Sequence, residues 1–365
     1  MSFGARIRIR LGALEHNFTL IRKAAGTARI CAVVKANAFG HGLLTIARNL
    51  PHADSFAVAR LSEAKALRDD GVKMPIVLLA GVMSAEDLRS AQDLGCEIVV
   101  HNESQLALLE ASAAPPTVVW LKVDTGMHRL GIDISETEKY LNRLSVCPAV
   151  SSVRLMSHLA KADVPGDPMT DIQVQRFKEI AADFEGDVSI ANSAAILEWQ
   201  DSPVAARSGS DLWVRPGIAL YGISPFPGRT GNDLGLMPVM EFESHVIAVK
   251  AVRAGETVGY GGTWAASQDT TIAIVSAGYG DGYPRFLPSG TPAVVNGRRV
   301  PVAGTISMDM LALDLGQAAR EKVGDRVILW GDALPVEEVA SHAGTIAYQL
   351  ICGVTHREPA VVVKL

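Results

Sequence analysis

An α/β fold is predicted: an N-terminal (β/α)8 TIM barrel over residues 1–232, then a smaller, mostly β C-terminal domain over residues 233–365. Three observations predict it. Eight short apolar runs between residues 30 and 214 end on polar residues. Amphipathic helical spacing follows the runs, and strand-helix alternation implies parallel pairing with right-handed crossovers. Near Ser224 the composition shifts to Pro and Gly, and beyond it the pattern becomes short strands separated by turn residues. A doubly wound open sheet shares the alternation, but the count of eight favours the barrel.

The elements follow in order. A basic strand at 7–11 and a helix at 14–25 come first. The barrel strands are the runs at 30–34, 55–59, 75–79, 96–100, 117–122, 153–156, 188–191 and 212–214. Helices are expected at 43–50, 62–70, 84–94, 103–111, 135–144, 170–184 and 193–198. Ser62, Ser84 and Asn102 have the short polar side chains that cap helix N-termini. Residues 224–238 read as a linker. Strands are then expected at 246–252, 271–275, 293–295, 326–330 and 361–365, with short helices at 335–342 and 346–351. Asn296-Gly297 between two apolar runs is a hairpin signal.

The bulk properties exclude several classes. With 365 residues and 48% hydrophobic content, the chain fills a large core and exceeds what one core usually supports. Its net charge is −5, and no basic block tracks a phosphate backbone, so no nucleic-acid partner is expected. The four cysteines, Cys31, Cys96, Cys147 and Cys352, form no C-x-x-C pair, so neither a metal site nor a disulfide framework is indicated. No apolar run approaches a membrane span, and the N-terminal segment lacks the apolar core of a signal peptide. A soluble cytoplasmic protein without membrane contact is expected.

The chemistry gathers at the strand ends. Lys35 ends the first barrel strand; Lys122 and Asp124 end the fifth, and His158 follows the sixth. Asn192 and Ser193 follow the seventh, and Arg215 and Gly217 follow the eighth. Barrels keep their active sites at this face. A desolvated lysine there is held toward its neutral, nucleophilic form.

The string Ala-Val-Val-Lys-Ala-Asn-Ala-Phe-Gly-His-Gly at 32–42 resembles the cofactor-lysine motif of bacterial alanine racemases, which use pyridoxal 5'-phosphate (PLP). By that resemblance Lys35 carries the cofactor. Phe39 departs from it, because the family usually has a tyrosine there whose hydroxyl contacts the phosphate. Lys-Val-Asp-Thr-Gly-Met-His-Arg at 122–129 resembles the second block. It implies that Arg129 grips the substrate carboxylate and the cofactor's phenolic oxygen, and that Lys122 is at a position carbamylated in many members. Ala-Asn-Ser at 191–193 and Arg-Pro-Gly-Ile at 215–218 resemble the phosphate and ring blocks. Ser193, Gly217 and Ile218 would hold the phosphate, and Arg215 would face the pyridine nitrogen.

In the C-terminal domain, Gly-Tyr-Gly-Gly-Thr-Trp at 259–264 resembles the block with the second catalytic base, Tyr260, with Arg129 and His158 expected to ease its ionisation. Tyr279, Met308 and Tyr348 also match family positions. They would line the pocket and its mouth, with Tyr348 reaching the phosphate. The blocks occur in family order over essentially the whole chain. They imply a homodimer with shared active sites that interconverts L- and D-alanine, for peptidoglycan or for alanine catabolism. A PLP decarboxylase of the same plan would need an acidic partner for the ring nitrogen. A non-catalytic PLP carrier would need only the barrel.

Overall fold

The computed structural model describes residues 4–198 and 212–364. Residues 1–3 of the basic N-terminal segment, and Leu365 of the expected last strand, lie outside them. The chain opens with β1 (Arg6–Arg10) and a helix over Leu11–Ala25. Eight parallel strands then close into a barrel. They are β2 (Arg29–Val33), β3 (Ser55–Val58), β4 (Ile76–Leu78), β5 (Cys96–Val100), β6 (Thr117–Lys122), β7 (Val150–Met156), β8 (Val188–Ser189) and β9 (Leu212–Val214). Closure is made by β2 against β9, with Arg29 opposite Trp213. Strands buried on both faces are mostly apolar, which made the barrel visible as apolar runs, although Ser55, Glu97 and Ser189 are buried polar residues within them. The start of β7 is less apolar: Ser151 and Ser152 are exposed.

The C-terminal strands are β10 (Met240–Val252), β11 (Thr257–Val258), β12 (Trp264–Ala265), β13 (Thr270–Val275), β14 (Pro292–Val295), β15 (Arg298–Pro301), β16 (Leu311–Gly316), β17 (Arg326–Trp330) and β18 (Val361–Val363). All except the β11–β12 pair join one eight-stranded sheet, which also takes in β1. Strand β1 lies antiparallel to β10 and parallel to β18. Its arginines are held there by a buried carboxylate: Arg6 Nε and Arg8 Nη2 donate to Glu243 Oε1 at 2.6 and 3.2 Å. The β14–β15 hairpin turns on Asn296 and Gly297, both left-handed at φ 50° and 78°, as the dipeptide predicted.

One local expectation is corrected. Ser62 is not an N-cap. The helix Leu61–Asp69 starts one residue earlier with Arg60 at its cap, and Glu63 Oε2 accepts the Ala59 and Arg60 N–H groups at 3.0 and 3.1 Å. An anionic carboxylate at a helix N-terminus outcompetes a neutral hydroxyl. Ser84 and Asn102 do cap their helices, each accepting an N–H at 3.0 Å. Residues 224–238, read as a linker, are held to the rest of the chain. Glu337 accepts the Ser224 and Gly231 N–H groups at 2.9 and 2.8 Å, and the Asn17 amide binds both the N–H and the carbonyl of Met237 at 2.8 Å.

Candidate active site

Lys35 follows β2 directly. The next four residues, Ala36, Asn37, Ala38 and Phe39, are all left-handed, with φ between 52° and 55°. Left-handed helical backbone costs an L-residue roughly 1–2 kcal/mol. A turn made without glycine must therefore be held from outside. The Ala36 N–H donates to Glu63 Oε1 at 2.6 Å, and Asn37 Oδ1 accepts the Leu43 N–H at 2.8 Å. Gly40 ends the turn at φ 81°, so close to the helix Ala347–Cys352 that a Cβ there would lie 2.0 Å from the Ile351 carbonyl oxygen.

Arg129 sits on the loop after β6. Asp124 Oδ1 accepts the N–H groups of Gly126, Met127 and His128 at 2.9, 3.0 and 3.0 Å. Burial opposes the Asp124 charge, but these donors and His128 hold its carboxyl below the usual range. Gly131 closes the loop at φ 137°, where a Cβ would lie 2.5 Å from the Asp124 nitrogen. This brings exposed Arg129 near enough to Lys35 and Lys122 for its charge to act on both.

Arg215, after β9, is buried. Its Nη2 donates to the Ser157 carbonyl at 2.6 Å and lies 3.4 Å from His158 Nδ1; its Nη1 donates to Ser189 Oγ. The Ser189 hydroxyl hydrogen goes to the Trp213 carbonyl at 2.8 Å, which leaves its lone pairs for the arginine. Burial lowers Arg215 to about 10, so it stays cationic at neutral pH. His158 is pushed well below its ordinary value by burial and by Arg215, Lys122, Arg129 and Lys35, and is a neutral imidazole. Lys122 falls to about 7, through burial and then Arg215, Arg129 and Lys35. Lys35 is lowered by burial and then Arg129, with Glu63 and Cys352 opposing.

Of these side chains Lys35 and Arg215 open on a cavity of about 580 Å³, lined also by Phe39, Ser193, Gly217, Ile218 and Tyr348 among others. Ser193 Oγ accepts the Gly217 and Ala219 N–H groups at 2.9 and 3.3 Å, so its own hydrogen is free to donate. The buried Ile218 N–H has no hydrogen-bond partner among the described residues. Buried donors of this kind, beside lysine and arginine, fit a phosphate. The Phe39 ring fills the space next to them, 4.9 Å from Tyr221 and 6.1 Å from Tyr348 between ring centres. The residues present thus suit PLP: a phosphate cradle, a lysine held toward its neutral form and a buried cation.

Lys122, Arg129 and His158 act on one another and on Lys35 without lining the cavity, and three more expected site residues are on the C-terminal domain. Tyr260, Tyr279 and Met308 do not line the cavity, and they are 67%, 39% and 54% exposed on the C-terminal domain. Tyr279 and Met308 are neighbours, since the Tyr279 and Gly280 N–H groups donate to the carbonyls of Ser307 and Met308 at 3.1 and 2.8 Å. The sequence reading missed Ser189 and Glu63. A serine inside an apolar strand was the available signal for Ser189, whereas Glu63 had none, because the residue three before it is arginine and not the serine or threonine of a capping box.

The chain matches the alanine racemase N-terminal domain over residues 9–225 and the alanine racemase C-terminal domain over residues 239–362. It is 50% identical over 354 residues to the alanine racemase of Shewanella sediminis, covering 96% of this chain and 97% of that protein. It is 48% identical over 355 residues to the enzyme of Vibrio parahaemolyticus, covering 97% of each. Its fold superposes on the crystal structure of the biosynthetic alanine racemase of Pseudomonas aeruginosa with a TM-score of 0.93 and 40% identity, over 99% of this chain and 100% of that one. The Acinetobacter baumannii alanine racemase gives 0.89 and 36%, with the same coverage. With a closed barrel, a phosphate cradle and both domains matched, the chain is an enzyme that belongs to the alanine racemase family.

Proposed function

We propose that the chain interconverts L- and D-alanine with PLP joined to Lys35, by a two-base mechanism with Lys35 on one face of the cofactor and Tyr260 on the other. The observation that carries this is the partnership, in one cavity, of a lysine held toward its neutral form and a buried arginine whose donors are fixed. Bound PLP supplies the electron sink that loosens the substrate Cα–H bond. Ser193, Gly217, Ile218 and Tyr348 would hold its phosphate. Arg215 would donate to the pyridine nitrogen without giving up its proton, which would keep the electron sink weak. A decarboxylase of this plan needs a carboxylate at that place, and the position is an arginine.

The other residues bind and move protons. Arg129 takes the substrate carboxylate through its guanidinium fork. Tyr260 serves as the base on the other face, with Arg129 as its cationic neighbour, and His158, a neutral imidazole, offers it only a hydrogen bond. Lys122 reacts as a neutral amine with carbon dioxide, forming an N–C bond and releasing a proton. The resulting carbamate anion pairs with Arg129. Tyr279 and Met308 narrow the mouth to small side chains, as a partner subunit's contribution in a homodimer. The 1–232 and 233–365 units would be the cofactor-binding half and the half with the second base. A cytoplasmic role in D-alanine supply for peptidoglycan, or in alanine catabolism, follows from this activity.

The test is to incubate purified protein with single enantiomers of alanine, serine and a basic amino acid. Alanine is expected to approach an equal mixture from either side, and faster than the others. Release of carbon dioxide or of keto acid in place of the opposite enantiomer would overturn the reading.

A further inference from the structure

Glu63 lies on the helix after β3, outside the cavity, and no chemistry described above uses it. A helix cap needs one carboxylate oxygen, and Oε2 meets that need through Ala59 and Arg60. Oε1 does something else. It crosses to the neighbouring β2 unit and accepts the Ala36 N–H at 2.6 Å, the peptide immediately after Lys35. That N–H opens the left-handed turn of Ala36 to Phe39. The far end of the turn has other ties: Asn37 to Leu43, the His41 ring at 2.9 Å from the Phe39 carbonyl, and Gly40 pressed against Ile351. The near end, from which the lysine side chain leaves, has Glu63.

We propose that Glu63 is a positioning residue for Lys35: one carboxylate caps the helix after β3 and clamps the first peptide of the turn, and so aims the lysine at its face of the substrate. The proposal rests on the two-base reading. Glutamine at this site would bring an amide N–H2 against three backbone donors, so one clamp must break. Aspartate would keep the charge at the helix start but is too short to span both partners.

Two measurements on the holoenzyme test it, each on Glu63→Gln and on Glu63→Asp. Amide hydrogen exchange in the peptide covering residues 35–42 is expected to quicken about tenfold relative to the rest of the barrel, as loss of a hydrogen bond to a charged group implies. The primary isotope effect from Cα-deuterated alanine is expected to rise for one enantiomer only, the one whose proton Lys35 takes. Tyr260→Phe, measured in parallel, should raise it for the opposite enantiomer. Equal changes for both enantiomers in the Glu63 variants, with Tyr260→Phe one-sided, would overturn the positioning role. Equal changes in Tyr260→Phe itself would instead sink the two-base reading. Unchanged exchange at 35–42 in both Glu63 variants would show that the turn does not depend on the clamp.

Discussion

At Lys122 the charge state decides the chemistry. The amine is lowered to about 7 by burial and then by Arg215, Arg129 and Lys35, against an ordinary 10.5. A native value below the unfolded one means that the unfolded chain binds the proton more readily. The site therefore costs no stability above about pH 10.5, and the cost grows as pH falls toward 7. Only the neutral amine adds carbon dioxide. We predict a carbamate carbon signal in ¹³C-bicarbonate NMR spectra that fades as pH drops through about 7 and is absent in Lys122→Gln. Phe39 allows a second prediction. Its Cζ is the atom nearest to where a Gly217 Cβ would stand, at 3.2 Å, so a hydroxyl on Cζ would point at the phosphate cradle. Phe39→Tyr should lower the PLP dissociation constant about tenfold or more, since a hydrogen bond to a charged group contributes roughly 1.5–3 kcal/mol. An unchanged constant would mean that the Ser193 and Ile218 donors already saturate the phosphate. Arg215→Glu should keep the fold yet raise abortive transamination, read as pyruvate formed per racemisation; a ratio like that of the wild type would sink the electronic argument for Arg215.

At the scale of elements, the turn after Lys35 shows where sequence reasoning stops. Asn37 alone in Ala-Asn-Ala-Phe tolerates the left-handed region, and the two alanines and the phenylalanine avoid it; ties from Glu63, Leu43 and the 347–352 helix impose the turn. The barrel strands were legible because burial on both faces leaves continuous apolar runs. Strand β16 went unseen, though its burial alternates, because Asp314 and Gly316 gave it a loop-like composition. The sheet membership of β1 depends on Glu243, more than 200 positions away, which no local pattern encodes. Lys35, Ser193 and Arg215 were legible because they follow barrel strands, whereas much of the remaining wall, at 224–229 and 345–347, comes from segments without that pattern, and Ser189 and Glu63 act through other residues. The turn predicts its own fragility. Gly40→Ala should destabilise the protein by at least about 2 kcal/mol in urea unfolding, since it combines a left-handed φ with a clash against backbone. A midpoint shift within error would show that the 347–352 helix can move away.

For the whole molecule, the exposed residues are the informative ones. Tyr260, Tyr279, Phe286, Met308 and Met310 are large, accessible and carried by the C-terminal domain, while Lys35 and Arg215 open on a cavity none of them lines. Large exposed apolar groups of this kind suit an interaction surface. A two-fold pairing of barrel mouth against C-terminal domain would cover them and bring a second base to each cavity, with both chains contributing reciprocally. We predict a homodimer in which each site takes Lys35 from one chain and Tyr260 from the other. Chains carrying Lys35→Ala and chains carrying Tyr260→Phe, each nearly inactive alone, are co-expressed. A mixed dimer then holds one doubly damaged site and one intact site. Random pairing makes about half the dimers mixed, so roughly a quarter of wild-type activity should return if the sites are independent. If each site drew both residues from a single chain, every site in the mixture would be damaged and no activity would return. Mass spectrometry that finds mixed dimers without recovered activity would therefore rule out the shared site, whereas recovery near a quarter can come only from residues supplied across the two-fold axis.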